Sequence, residues 1–233
     1  MTRALVPLSM SSVSDLPEPC RSCVAWELPH GEGERLESGD RAFEKEVWLS
    51  GVMLTWGSAG QLVTVDDKPA GFALFAPPTA VPGATDFPTS PVSPDAVLLT
   101  VARILPEYAG QGLARYLMTG VIAGLTRRGV RAIEAFGVED TRRSLRRPKH
   151  PTCLLPAPFL RTIGFTDVAP HHRYPRLRFE LASGLGWKAE VEEALDKLFN
   201  VIVVPSPTVP ALAGATARTP TARIPACREV GGR

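Results

Sequence analysis

Two glycines at the start of a predicted helix are the residues of this chain best suited to bind an anion. Gly110 and Gly112 lack a β-carbon, so a phosphate group can approach their backbone closely. The first N–H groups of a helix have no partner inside the helix, and the helix dipole favours negative charge there. The chain therefore predicts a phosphate-binding turn, whose contributing residues are Ala109, Gly110, Gln111, Gly112, Leu113, Ala114 and Arg115.

A strand, a helix and a second strand must position this turn. An apolar run from Ala96 stops before Pro106, and another begins at Val130. Between them, apolar or small residues recur at three- and four-residue spacing, which predicts one helix face made of Leu113, Tyr116, Leu117, Val121, Gly124 and Leu125. Gly129 suits the position just after that helix. An ordinary strand–helix–strand crossover that binds nothing is the alternative interpretation.

Two familiar phosphate loops do not fit the turn. Arg115 stands where the dinucleotide-binding pattern Gly-x-Gly-x-x-Gly has its third glycine. No Gly-Lys-Ser or Gly-Lys-Thr follows, which excludes the phosphate loop of the P-loop nucleotide hydrolases. If the turn binds a phosphate group, it therefore does so by neither the dinucleotide-binding nor the P-loop pattern.

The turn resembles motif A of the GNAT superfamily, the acetyl-CoA-dependent N-acetyltransferases. Pro106–Glu107–Tyr108 precede the pattern Ala109-x-x-Gly112-x-Ala114, in which the family usually has Arg or Gln at the position of Ala109. That substitution removes one side-chain contact to the pyrophosphate and leaves the backbone contacts unchanged.

The resemblance extends to both sides of the turn, over roughly residues 41–181. Gln61–Val65 and Gly71–Phe75, joined by a turn at Asp66–Asp67–Lys68, resemble the hairpin of the family's second and third strands. Residues 160–165 resemble its late Tyr-Glu-Lys-x-Gly-Phe phrase. The phrases CRSCVAWEL and PHHRYPRLRFEL are also similar to uncharacterised actinobacterial members of the superfamily.

The resemblance implies a mixed α/β (α+β) fold, a twisted, mostly antiparallel sheet flanked by helices. Two central strands would splay to admit acetyl-CoA, the acyl donor. The edge of the fourth strand would pair with the pantetheine chain through Val101, Ala102, Arg103 and Ile104. The implied reaction is acetyl transfer to a primary amine of a small molecule or protein, by direct attack in a ternary complex.

The general acid and base are harder to assign. The tyrosine that often protonates the leaving thiol in this family corresponds to Leu160 here. Tyr108 is the remaining candidate acid, and Glu107 could act as a base through water. The alternative interpretation of Glu107, which the sequence favours, is a carboxylate stabilised by a helix dipole. A non-catalytic, regulatory module that binds acyl-CoA is therefore the alternative function, and a position 160 that faces the core would count against an enzyme.

Cysteines and histidines leave further alternatives open. Cys20-x-x-Cys23 could be half of a zinc site, a redox pair, or simply two thiols beside a first strand Val24–Leu28. No second pair has this spacing, and outside the tail only Cys153, His171 and His172 could complete a zinc site, so no metal is assigned. Cys153 is either a reactive thiol or an inert one, and either histidine could be a base or a hairpin residue. A zinc-dependent binding protein is the third hypothesis.

Composition limits the classes of partner. The 233 residues are 44% hydrophobic with a net charge of +2, which suits one large domain and gives no argument for a nucleic-acid partner. No apolar run approaches the ~20 residues that span a membrane, and the first residues have no signal-peptide pattern. We expect a cytoplasmic protein with free thiols, and a homodimer stays possible.

The domain organisation follows from the pattern of apolar residues. We expect a disordered or extended segment over residues 1–19, a GNAT domain over residues 20–202 with an appended helix at 187–200, and a flexible Pro/Thr/Ala-rich tail over residues 203–233. Within the domain, Arg41 to Trp56 reads as a helix and Pro77–Pro94 as a loop. The basic run from Arg142 to Lys149 is either a contact to the 3′-phosphate of CoA or a solvated loop.

Overall fold

A computed structural model describes residues 2–139 and 153–181 of the chain. Eight strands lie within these ranges, namely β1 (Arg3–Pro7), β2 (Gly60–Val65), β3 (Lys68–Ala76), β4 (Ala96–Ile104), β5 (Ala132–Val138), β6 (Leu155–Pro156), β7 (Thr166–Ala169) and β8 (Arg176–Glu180). Four α-helices accompany them, namely α1 (Glu18–Arg21), α2 (Ser38–Trp56), α3 (Leu113–Arg127) and α4 (Ala157–Thr162). Short 3₁₀ turns fill several connections, including Pro78–Ala80, Pro82–Asp86 and Pro106–Tyr108.

The strands form one sheet in the order β1-β2-β3-β4-β5-β8-β7, with β6 beside β5. Neighbouring strands are antiparallel except β4–β5 and β5–β6, which are parallel. Every residue of β4 and β5 is buried, as expected for central strands covered on both faces. The predicted mixed, mostly antiparallel sheet flanked by helices is thereby confirmed.

Each face of the sheet has its own apolar core. The first core contains Leu49 and Val52 of α2, together with Trp26 and Phe136. The second core contains the buried side of α3 together with Ala157 and Leu160 of α4. The two long helices therefore cover opposite faces of the sheet. Among the described residues, none of the helices is long and apolar enough to cross a bilayer.

Several local predictions agree with the structure. The helix predicted between Arg41 and Trp56 spans Ser38–Trp56 in the structure. Gly57, which follows it, adopts a left-handed conformation. The predicted hairpin turn has positive φ at both Asp66 and Asp67, the backbone geometry that lets two residues join antiparallel strands. The helix after the glycine turn spans Leu113–Arg127, and Gly129 follows it with φ of 71°.

Within residues 1–19, for which the sequence predicts a disordered or extended segment, the structure has an extended strand followed by a 3₁₀ turn. Residues 3–7 form the edge strand β1, which pairs antiparallel with β2. A 3₁₀ turn at Met10–Asp15 then places Val13 and Leu16 in the first core. The sheet thus begins well before residue 20, because the apolar residues of this segment find partners that only the folded sheet provides.

The predicted strand Val24–Leu28 is wrong, since these residues form a turn. Trp26 is 1% exposed and stacks on Phe87, whose ring centroid lies 5.1 Å away, and Phe87 stacks on Phe136 at 4.2 Å. The apolar residues of this phrase therefore bury an aromatic ring rather than join a sheet. The predicted basic loop, the helix at 187–200 and the tail over 203–233 lie outside the described residues.

Candidate functional site

The glycine turn before α3 has the backbone of an anion site. Gly110 and Gly112 have φ of 80° and 74°, values that residues with side chains rarely adopt. A β-carbon at either position would meet nothing within 4 Å, so the glycines face open space. Gly112 is the N-cap of α3, and no side chain caps this end of the helix within the described part of the chain. The first amides of α3 are therefore available to a negatively charged ligand.

A bulge in β4 changes the direction of its side chains. In the pairing of β3 with β4, Leu74 lies opposite Val101 and Phe75 lies opposite Leu99, which leaves Thr100 as an extra residue. The hydroxyl of Thr100 donates to the carbonyl of Leu74 at 3.1 Å. As a result, Leu99 packs in the second core while Val101 packs in the first, although they are two residues apart.

At this bulge, β4 and β5 separate. Their parallel pairing covers three positions, from Ala96 opposite Ala132 to Leu98 opposite Glu134. The far end of β5 pairs instead with β6, at Gly137 opposite Leu155. The edge of β4 over residues 99–104 that faces β5 consequently has no strand partner among the described residues. Backbone groups at such an edge need a partner, and an extended ligand can supply one.

The four predicted pantetheine-binding residues lie on this edge. Val101 packs in the first core, whereas Ala102 and Ile104 pack in the second with α3. Arg103 is 9% exposed, and its Nη1 donates to the sulfur of Cys20 at 3.4 Å. The side chains of these residues are thus engaged in the cores, and it is their backbone that remains for a ligand.

Tyr108 and Glu107 lie in the 3₁₀ turn Pro106–Tyr108 that connects β4 to the glycine turn. Tyr108 is half-buried and packs against the second core, as do Ala114 and Tyr116 of α3. Glu107 is exposed. Their roles as acid and base stay predictions.

Leu160, at the position of the family's tyrosine, belongs to the core. It lies in α4, is fully buried, and packs in the second core. This is the outcome that the sequence analysis set against an enzyme, because a side chain facing the core cannot protonate a leaving thiol. The structure therefore excludes an acid supplied from this position.

A buried polar cluster lies on the other face of the sheet. Lys45 of α2 forms an ion pair with Glu27, and both side chains are almost fully buried. Lys45 Nζ also donates to the carbonyl of Cys23 at 2.9 Å. Burial lowers the pKa of Lys45, but the charges of Glu27 and Cys23 outweigh it, so the pKa is raised. The sequence did not predict the burial of Lys45, because the residues next to it in the chain are charged and indicate an exposed helix face.

Cys23 and Cys153 meet in the same cluster. The Cys153 thiol hydrogen-bonds the sulfur of Cys23 and, together with the charge of Lys45, lowers the pKa of Cys23 to about 7 despite burial. Both cysteines are half-buried. No group of three or more His, Cys, Asp or Glu side chains in the described ranges is arranged to hold a metal ion.

The histidines lie where the sequence placed them, in the connection between β7 and β8. His171 Nδ1 accepts hydrogen bonds from the backbone N–H groups of Arg173 at 3.2 Å and Tyr174 at 2.9 Å. The rings of His171 and His172 lie 4.3 Å apart. Burial and the neighbouring His172 lower the pKa of His171. These contacts fit a residue that shapes a hairpin.

Comparisons with known proteins identify the fold and the family. The structure resembles an acetyltransferase of Salmonella typhimurium solved with its cofactor acetyl-CoA, at 14% identity and a TM-score of 0.50, over 79% of this chain and 96% of that one. It also resembles an N-acetyltransferase of Staphylococcus aureus, at 11% identity and a TM-score of 0.50, over 78% of this chain and 100% of that one. A search of curated protein sequences finds no match.

At these identities the solved structures establish the fold alone. The sequence pattern of the acetyltransferase (GNAT) family matches residues 23–147, which is more than half of the 233 residues. The matched segment includes α2, the β2–β3 hairpin, β4, the glycine turn and β5. The chain therefore belongs to the GNAT family of acetyltransferases.

Proposed function

We propose that the protein transfers the acetyl group of acetyl-CoA to a primary amine of a small molecule or protein, by direct attack in a ternary complex. The observation that carries the proposal is the succession of two features along the chain. The unpartnered edge of β4 over residues 99–104 leads directly into the uncapped glycine turn at the start of α3. One extended ligand with a pyrophosphate group would use both.

The proposed division of labour follows from backbone chemistry. Backbone groups of Val101, Ala102, Arg103 and Ile104 would pair with the pantetheine chain, as an added strand pairs with a sheet edge. The amides of Gly110 to Arg115 would hold the pyrophosphate. The Salmonella acetyltransferase with the same fold has acetyl-CoA as its cofactor, which supports the same donor here.

The proposed reaction does not need a general acid at position 160. An ordinary thiol has a pKa near 8.5, so a thiolate is a fair leaving group at neutral pH without full protonation. Tyr108 is the proposed source of a proton, and Glu107 is the proposed base through a water molecule. The core position of Leu160 therefore argues against a general acid at position 160 and not against acetyl transfer itself.

A second function has specific support. Leu160 packs in the core, and Ala109 cannot make the side-chain contact that Arg or Gln would offer. A protein that binds acyl-CoA and regulates a partner without turnover would tolerate both substitutions. Binding and turnover must therefore be measured separately.

The test uses the full chain with acetyl-CoA and a panel of amines. Calorimetry measures acetyl-CoA affinity, and a thiol reagent measures CoA release with small amines, lysine peptides and peptide N-termini. Saturable binding with amine-dependent CoA release supports the enzyme. Tight binding without release from any amine supports the regulatory module, and absent binding overturns both.

We propose that the protein acts in the cytoplasm, without nucleic acid, and as a homodimer. Cytoplasmic proteins keep their cysteines as thiols, and Cys23 is a free thiol. Phe43 and Leu54 on the outer side of α2 are 64% and 84% exposed, which supports a contact with a second copy. Light scattering of the purified protein tests the dimer, and Phe43→Asp should then yield monomers.

A further inference from the structure

Two cysteines that are far apart in the sequence come into contact in the fold. Cys23 follows α1, and Cys153 stands two residues before β6. The side chains of Cys153 and Cys23 are hydrogen-bonded to each other. Cys153 also packs against the first core, which holds this segment in place. The contact therefore joins the segment before α2 to the strand that pairs with the far end of β5.

The surroundings of this pair favour a thiolate at Cys23. The buried ammonium of Lys45 lies close, since it donates to the backbone carbonyl of Cys23 at 2.9 Å. Glu27 accepts from the same ammonium and limits its effect. Cys153 supplies the proton-donating partner that stabilises the charge on sulfur. A half-buried thiolate beside a second thiol has the properties of a redox-sensitive cysteine.

We propose that Cys23 and Cys153 form a redox-active pair, which hydrogen peroxide closes to a disulfide and a small-molecule thiol reopens. This inference does not rest on acetyl transfer, since it depends only on the contact between the two sulfurs.

The oxidation balances with one peroxide and two thiols. The Cys23 thiolate attacks one oxygen of hydrogen peroxide, the O–O bond breaks, and hydroxide leaves as water after it takes a proton. The Cys153 thiol then loses its proton and attacks the resulting sulfenic acid, so the S–S bond forms and a second water leaves. The two sulfurs lose two electrons and two protons in total, and the peroxide becomes two waters.

The neighbouring Cys20 offers the competing partner. Its spacing to Cys23 is that of the Cys-x-x-Cys motif. However, its sulfur is buried and accepts a hydrogen bond from Arg103 of β4. In the structure Cys20 thus contacts β4, whereas Cys23 contacts Cys153.

Peptide mapping of the full chain distinguishes these partners. The reduced protein is freed of reductant, treated with hydrogen peroxide, blocked with N-ethylmaleimide and digested with trypsin under non-reducing conditions. Trypsin cleaves after Arg21 and so separates Cys20 from Cys23. We expect the peptide of residues 22–35 to be linked to that of residues 150–161, with loss of two hydrogen atoms that dithiothreitol reverses.

Two variants complete the test, with thermal melting as the check of folding. Cys20→Ser is the matched control and should still form the linked peptide. Cys153→Ser should lose it and leave a sulfenic acid on Cys23 that dimedone traps. A Cys20–Cys23 link, a link to Cys227, or no disulfide at peroxide concentrations that oxidise glutathione would overturn the proposal.

Discussion

Leu98 of β4 lies opposite Glu134 of β5, and this is the last pair that joins the two parallel strands. Glu134 is fully buried and accepts hydrogen bonds from the backbone of Ser93 at 3.1 Å and from the guanidinium groups of Arg176 and Arg178 on β8. A buried carboxylate held by two arginines thus lies at the point where β4 and β5 separate. The last paired position of β5 is therefore also a buried charged group with three hydrogen-bond donors around it.

Glu134→Gln should change the acid stability of the protein. Burial raises the pKa of Glu134, but the hydrogen bonds from Ser93 and Arg176 outweigh it, so the pKa lies below its ordinary value of 4.5. A carboxyl whose pKa is lowered by folding stabilises the fold above its unfolded pKa, and this contribution is lost as pH falls through the folded pKa. Urea unfolding between pH 3 and 7 should show a shallower acid loss in Glu134→Gln, which is less stable at neutral pH. An identical acid profile in both proteins would contradict this role.

Gly112→Asp should weaken acetyl-CoA binding at least tenfold, which corresponds to about 1.4 kcal/mol. The aspartate adds negative charge where the pyrophosphate is proposed to bind. Calorimetry at constant salt measures the affinity of the folded variant.

Gly112→Asn separates charge from backbone strain in that experiment. Asn and Asp tolerate the left-handed conformation of residue 112 to a similar degree and have nearly the same size. We expect Gly112→Asn to bind acetyl-CoA more tightly than Gly112→Asp. Equal affinities of the two variants would mean that no anionic group approaches this turn.

Tyr108→Phe should lower kcat for acetyl transfer, by no more than about a hundredfold, the low end of general-acid effects. Acetyl-CoA affinity should stay within twofold, because the ring still packs against the second core. Tyr116→Phe is the matched control, since Tyr116 is also half-buried against this core. An equal fall in both variants would assign the effect to packing rather than proton transfer.

The sequence predicted those parts of the site that depend on neighbouring residues. The glycine turn and α3 follow from local spacing, and the β2–β3 hairpin follows from a two-residue turn that suits Asp66 and Asp67. Such features require no knowledge of distant segments.

The remaining features depend on contacts between distant residues. The bulge at Thr100 exists only in the register of β4 against β3, and the ion pair of Lys45 with Glu27 forms only when α2 covers the first core. Likewise, the apolar phrase around Trp26 suits a strand locally but is recruited to an aromatic stack with Phe87. Tertiary packing overrides local preference at these positions.

Leu160→Tyr should destabilise the fold by about 1–3 kcal/mol without raising turnover, because it overfills a fully buried site in the second core. Leu160→Met keeps the side-chain volume and should cost less than about 1.5 kcal/mol. Denaturant unfolding and CoA release measure the two effects. A gain in turnover from the tyrosine, with unchanged stability, would show that position 160 reaches the thioester.

Alkylation of Cys23 should report its lowered pKa. Iodoacetamide reacts with the thiolate, so the rate should rise with pH through a midpoint at about 7. The titration belongs to the coupled pair of Cys23 and Cys153, with Lys45 and Glu27 as the charged groups beside it.

Cys153→Ala removes the hydrogen bond that lowers the pKa of Cys23 most, so it should move the midpoint upward. Cys20→Ser, as the control, should leave it in place, and mass spectrometry of the peptide of residues 22–35 measures the rate at each pH. A midpoint near the ordinary thiol value in the unaltered protein would show that Cys23 is not activated by its neighbours.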